Sequence, residues 1–227
     1  MKRFFRERGL ALGLVVVVML LVAISQGSLT YTFHVGELKG HLSQWAMQLA
    51  RLQWVLRAGL LAGMMLLWVV KKKRALFRVI VAANAYFTAV LLVDTAGLAT
   101  VLGGLTMRAV GNLIVDVSAI AVSNILIFSI WYWVIDPPGV VDGEPKDQPW
   151  AFLFPQRAGV VPGYERWVPR YPDYLFLAFT TSFAFSPTDT LPLTRSAKML
   201  MLLQAMISVV TLMGIAASAI NVLSNRG

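Results

Sequence analysis

Apolar residues in this chain fall in long runs set apart by short charged or proline-bearing stretches. The first run is Gly9 to Ser25, with Val15 to Val18 and Leu20-Leu21 at its heart. Others cover about 52–70, 75 to 95–103 and 111–135, and the last, Met199 to Ser224, has 26 residues and no charge. A bilayer core takes roughly 20 mostly apolar residues in helical form. Backbone N–H and C=O groups in lipid have no water to bond, so such runs must be helices. The pattern predicts an all-α polytopic membrane protein with about five transmembrane helices. Ala23-Ile24-Ser25 also resembles the cleavage site of a secretory signal peptide. The length of the run and the spans that follow favour an uncleaved first span.

The segments between the runs are unequal. Leu38, Leu42, Trp45, Leu49, Leu52 and Leu56 recur at steps of four and three, one face of a helix. This predicts an interfacial helix near 38–51 leading into the second span, or a helix packed on its neighbours. Arg57, near the start of that span, is expected to snorkel to the headgroups. Lys71-Lys72-Lys73-Arg74 ends the span, and Trp131-Tyr132-Trp133 closes the fourth as an interfacial aromatic cluster. Asp136-Pro137-Pro138-Gly139 breaks the helix there. Residues 136–173 read as an ordered polar loop. Tyr174 to Phe185 is apolar but too short to cross, and Pro187 and Pro192 follow. A short helix, a polar turn and then a full span outline a re-entrant segment. The chain thus divides into a four-helix region at 1–135, the loop at 136–173 and a re-entrant-plus-span unit at 174–227.

Composition agrees with a membrane class: 58% of residues are hydrophobic and 14% charged, where a soluble domain carries about 25% charged. The net charge of +9 does not point to nucleic acid. The basic residues sit at the ends of apolar runs, as the positive-inside rule places them. With five spans and a cytoplasmic N-terminus, fifteen bases fall inside and five outside. That favours a cell membrane protein with its N-terminus in the cytoplasm. The chain has no Cys, which excludes disulfides and thiolate chemistry. HExxH, GxSxG, P-loop and Rossmann patterns are missing too, so no catalytic site is expected. Asp142, Glu144 and Asp147 read as a solvated loop; His34 and His41, seven apart, could share a helix face, but Gly36 and Gly40 in that segment argue against a metal site. No cofactor is expected.

Residues 174–223 resemble the pore loop and inner helix of two-span potassium channels. The matching pieces are a short aromatic-rich helix with Thr180-Thr181, a polar turn, Asp189-Thr190-Leu191-Pro192-Leu193-Thr194, and a long inner helix. The resemblance implies an Asp-x-x-Pro-x-Thr motif just after a filter. The filter itself departs: Ala184-Phe185-Ser186-Pro187-Thr188 has no Gly to take left-handed conformations, so carbonyl rings of the potassium-selective kind are not supported. The charge-based topology also puts this loop inside, whereas a potassium filter faces out. More of the chain resembles an uncharacterised family of bacterial multi-pass membrane proteins, some described as ion-channel-like. The residues are Trp131-Tyr132-Trp133 with Asp136, Phe152-Leu153-Phe154-Pro155-Gln156, Tyr174-Leu175, and Phe185 to Thr190.

Three groups of site candidates follow. Thr180, Thr181, Ser186, Thr188 and Asp189 belong to the pore-loop-like segment, and Asp189 suits a turn-shaping or helix-capping role equally well. Gln204, Ser208, Thr211 and Ser218 fall within an arc of about 80° on the last helix. A polar stripe there faces protein or water rather than lipid, lining a pore or mediating helix packing. Asn124, with Ser118 and Ser123, gives the fourth span a similar polar spot. Asp94 and Asp116 are the intramembrane acids, either proton or cation sites or caps at span ends. The sequence so read favours a channel-like, homo-oligomeric pore passing monovalent cations without potassium-type selectivity. The rival is a non-conducting protein that uses the same architecture for packing or partner assembly.

Overall fold

The computed structural model describes residues 2–29, 43–70, 72–103, 110–136, 150–159, 162–164, 167–184 and 189–224. The helices are α1 (Lys2–Leu29), α2 (Ser43–Val69), α3 (Lys73–Gly103), α4 (Val110–Ile135), α5 (Tyr171–Ala184) and α6 (Arg195–Ser224). Two short strands, β1 (Phe152–Leu153) and β2 (Leu191–Pro192), and a 3₁₀ turn at Pro155–Arg157 complete the described elements. Segments Arg74–Ala99, Ile114–Ile135 and Arg195–Ala217 are long and apolar enough to cross a membrane. In α1 and α2 the described apolar stretches are shorter, Gly13–Gln26 and Trp54–Val69.

α4 is the hub, packed against α1, α3, α5 and α6. Its sequence suits that place: Val117, Ile120, Ile127, Phe128 and Ile130 are all buried, and a helix apolar all round belongs in the interior. α3 shows a one-faced pattern instead. Leu76, Ile80, Ala83, Phe87, Leu91 and Leu98 are buried, at helical spacing along one stripe. In α2 the inward stripe is Arg57 and Met64 with the half-buried Leu60, Leu61 and Leu67, while Val55, Leu66 and Val69 are exposed.

Contacts fix the ends of the bundle. Phe77 meets Trp133 at 6.0 Å, edge to face, so the start of α3 lies beside the end of α4. At the other end, α6 comes close to α3 and α4 at Gly214. A Cβ built there would stand 2.9 Å from Val117 and 3.3 Å from Leu98. β1 pairs antiparallel with β2, Phe152 opposite Pro192 and Leu153 opposite Leu191. The backbone N–H of Leu193 donates to the Ala151 carbonyl at 2.9 Å, extending the pairing. Asp136 ties β1 to the end of α4, so the stretch leading into α6 returns to the end of α4 where α5 begins. Lys72, Arg74, Arg78, Arg170, Arg195 and Lys198 are exposed around that end.

The helix starts follow local chemistry. At α6, Thr194 Oγ1 accepts from the Ala197 N–H at 3.2 Å, the N-cap bond that satisfies an orphan donor. At α5, Asp173 Oδ2 accepts from the Arg170 N–H at 2.6 Å, the reciprocal half of a capping box, and Pro172 sits in the first turn, where no N–H is needed.

Several boundaries and placements differ from the sequence reading. Residues 43–51 are continuous with the second long helix, while 38–42 lie outside the described residues. α5 starts at Tyr171, three residues early, because the Asp173 cap and Pro172 set its first turn. Tyr132 and Trp133 are buried rather than interfacial, since the 150–157 segment and α5 fold over them. Tyr132 meets Phe152 at 5.1 Å and Trp133 meets Tyr171 at 6.5 Å. Arg57, expected to snorkel, is 1% exposed; it falls on the inward stripe of α2, one helical turn from Leu60 and Leu61.

Candidate functional site

Among the described residues, the sequence candidates fall mainly in two of the polar clusters of the bundle. The first joins α4, α5 and α6 around Gln204, which is fully buried. Its Nε2 donates to the Ala178 carbonyl and to Ser182 Oγ, both at 2.8 Å. Its Oε1 accepts from the Tyr132 hydroxyl, beside which Thr181 also lies within hydrogen-bonding reach. One turn further, Asn124 Nδ2 donates to Ser208 Oγ at 2.9 Å and to the Gln204 carbonyl at 3.3 Å. Thr211 turns its hydroxyl back to the Ile207 carbonyl of its own helix. A glutamine amide inside an apolar bundle is costly unless both ends are bonded, and here both are.

Near the basic end this cluster is followed by an ionic lock. Asp136 and Arg157 form a salt bridge at 2.9 Å with side chains 0% and 4% exposed. Asp136 also accepts from the N–H of Ala151 at 2.9 Å, the N–H of Phe152 at 3.3 Å and the hydroxyl of Tyr174 at 2.6 Å. Arg157 donates as well to the Phe152 carbonyl at 3.0 Å and lies over the Trp150 ring at 4.8 Å. The carboxylate is thus a staple that holds β1, α5 and the 3₁₀ turn to α4.

The second cluster lies toward the opposite end, between α2, α3 and α4. Arg57 is buried, and its Nε, Nη1 and Nη2 have no hydrogen-bond partner among the described residues. Its guanidinium stands 5.8 Å from the Trp54 ring. Asp94 on α3 has a buried Oδ2 that is likewise without a partner, and both Arg57 and Asp116 act on it electrostatically. Asp116, on α4, is 2% exposed. Asp94 falls within the Arg74–Ala99 segment and Asp116 within Ile114–Ile135. Ionisable groups at such depth are costly and, where they occur, face protein interiors or water-lined paths.

The sequence candidates therefore divide. Gln204, Ser208, Thr211 and Thr181 are all buried; Gln204 and Thr181 meet at the Tyr132 hydroxyl and Ser208 is joined to the Gln204 carbonyl through Asn124, while Thr211 bonds only back to its own helix among the described residues. Thr180 is half-buried and bonds back to the Phe176 and Leu177 carbonyls. Asp189 is exposed at the turn, where its Oδ1 accepts from the Thr190 hydroxyl at 3.2 Å; Thr194, not Asp189, caps α6. Ser186, Thr188 and the side chain of Ser218 lie outside the described residues. Ser118 is exposed, whereas Ser123 is buried and donates to Ser25 Oγ on α1 at 3.1 Å. Sequence reasoning missed Arg157, Tyr132 and Tyr174 as polar partners. The one signal for Tyr174 and Arg157 was Asp136 itself, a carboxylate at the end of an apolar run that needs donors. Comparison with known families, with characterised proteins and with solved structures finds no match.

Proposed function

We propose that this chain is a cell-membrane protein of five spans with a cytoplasmic N-terminus, in which the α5–α6 unit is a packing and assembly module and not an ion path. The observation that carries this reading is Gln204. Its amide is bonded at both ends inside one chain, to Ala178, Ser182 and Tyr132. A side chain so engaged offers nothing to a passing ion. The neighbouring Ser208 is taken by Asn124, which is the helix-packing use of small polar groups in membranes. The surfaces that α5 and α6 leave open are apolar, with Phe176, Phe179 and Phe183 on one and Leu202, Met206 and Met213 on the other.

The re-entrant course of 174–194 is supported by its two feet. Tyr171 meets Trp133 and β2 pairs with β1, both near the end of α4. The cytoplasmic assignment of that end is supported by the exposed bases gathered there. A second reading, a homo-oligomeric channel-like pore for monovalent cations, is favoured by the exposed Asp189 within the Asp189–Thr194 motif. Sodium and potassium flux into liposomes bearing the purified protein separates the two. Packing predicts flux no greater than in protein-free vesicles. Flux that Asp189→Ala or Gln204→Leu abolishes, with the variant still folded, overturns it.

A further inference from the structure

The start of α6 carries an inference that does not depend on whether the α5–α6 unit conducts. We propose that its exposed face is a docking surface for an anionic phospholipid, with the headgroup phosphate held by Arg195 and Lys198 and an acyl chain lying along Leu202, Met206 and Val209. This rests on α6 crossing the membrane and not on which side its start faces.

Charge points to an anion. Residues 71–78 and 136–198 belong to the end where α3 begins beside the end of α4, and they carry eleven Lys and Arg against seven Asp and Glu. With every one of those acids paired to a base, wherever it lies, four bases are left over. Arg195 and Lys198 are both exposed, and neither has an ion-pair partner among the described residues. The acid closest in sequence, Asp189, is one of the seven and accepts from the Thr190 hydroxyl. Residues three apart on a helix are surface neighbours, and like charges so placed repel. A phosphate between them turns that repulsion into two attractions. The guanidinium fork donates to two of its oxygens at once, and the ammonium adds a point charge.

Shape and depth point to a lipid. Arg195, Lys198, Leu202, Met206 and Val209 fall within an arc of about 80° on the helix. All five are exposed, while Ala197, Met201, Gln204 and Ser208 on the other side are buried. The two bases open the segment Arg195–Ala217, which is long and apolar enough to cross a membrane, so they stand at headgroup level. Val209 lies about 16 Å along the axis from Lys198, close to half of a hydrocarbon core roughly 30 Å thick. The stripe is therefore one leaflet deep. A free anion would use its bases alone, whereas a phospholipid uses both parts. α3 has a similar basic start but a different face. After Arg74 and Arg78 its exposed residues include Ala82, Ala85 and Ala89, whose methyl groups offer an acyl chain less apolar surface than Leu and Met do. That contrast selects α6.

Thermal unfolding of the full chain in nanodiscs tests this, since a ligand that binds only the folded state raises the midpoint. Phosphatidylcholine discs receive increasing phosphatidylglycerol at fixed salt and pH. Both leaflets carry it, so orientation does not enter. The wild-type midpoint should rise and level off. Arg195→Gln combined with Lys198→Gln should raise the phosphatidylglycerol fraction needed for half that rise by about tenfold or more. Lys198→Gln alone should raise it about fivefold, and it decides if the double variant fails to fold. Lys72→Gln combined with Arg78→Gln removes the same charge from the start of α3, and screening between separate surface sites should keep its effect within about twofold. Inorganic phosphate added to pure phosphatidylcholine discs should not reproduce the rise. A wild type indifferent to phosphatidylglycerol, or α6 variants that keep the full response, overturns the proposal. So does an equal loss from the α3 pair, which would mean a diffuse basic surface, or a rise with inorganic phosphate alone, which would mean a free-anion site.

Discussion

Asp136 concentrates more structure than any other residue described. Its two carboxylate oxygens receive two backbone N–H groups, a guanidinium and a tyrosine hydroxyl. Removing one partner of a buried ion pair strands the other, at a cost of about 3–5 kcal/mol. Asp136→Asn is therefore expected to destabilise the protein by that order. The companion change Arg157→Met should be milder, and the pair together should cost less than the sum of the singles. A double-mutant cycle on thermal unfolding in nanodiscs checks this, and strict additivity of the two changes would remove the ionic lock from the account. The residue also marks a limit of reading from sequence. Asp136 stands out as an acid ending an apolar run, and Asp-Pro-Pro-Gly reads as a helix stop. Its partners Arg157 and Tyr174 are 21 and 38 positions away, and nothing periodic or compositional links them. Only the fold-back of β1 onto β2 brings them to the carboxylate.

At the scale of elements, helix positions were largely legible because hydropathy and charge act along the chain. The span expected at 111–135 is α4, Val110–Ile135, and the break expected at the basic run falls where α2 ends, at Val69, and α3 begins, at Lys73. Which face of each helix turns inward was less legible. On α6 the polar arc was visible, but whether it met water or protein depends on Asn124, Ser182 and Tyr132, on other elements. On α2 the long arginine permits either snorkelling or burial, and the rotational phase set by Met64 against the neighbouring helices decides for burial. Close helix approach was hidden too, since one of 17 glycines carries no mark of its neighbours. Gly214 is the case that matters. With Val117 Cγ2 2.9 Å and Leu98 Cδ2 3.3 Å from the site of a Cβ, Gly214→Ala forces α6 away from α3 and α4. Overpacking of this kind typically costs about 1–3 kcal/mol, and Gly214→Val should exceed Gly214→Ala. Gly63, where a Cβ meets nothing within 4 Å, is the control. Gly63→Ala should be neutral or slightly stabilising, because alanine is the better helix former. Comparison of the three thermal midpoints tests the contact.

For the molecule as a whole, the charge distribution gives a definite expectation of which end faces the cytoplasm. Lys72, Arg74, Arg78, Arg170, Arg195 and Lys198 are exposed around the end that bears β1, β2 and the Asp136 lock. Basic residues flanking spans are retained on the cytoplasmic side, where anionic headgroups add about 1 kcal/mol per Lys or Arg near the surface. The absence of native cysteine makes single-cysteine labelling unambiguous. A membrane-impermeant maleimide applied to intact cells should leave Gly159→Cys and Ser196→Cys unlabelled and should label Thr106→Cys, in the link between α3 and α4. Permeabilised cells should expose all three. External labelling of Gly159→Cys and Ser196→Cys together would invert the whole bundle and move the basic end outside. External labelling of only one of them would be a different failure. It would separate two positions that the β1–β2 pairing ties to one end, and so would count against the fold-back of 174–194 rather than against the orientation.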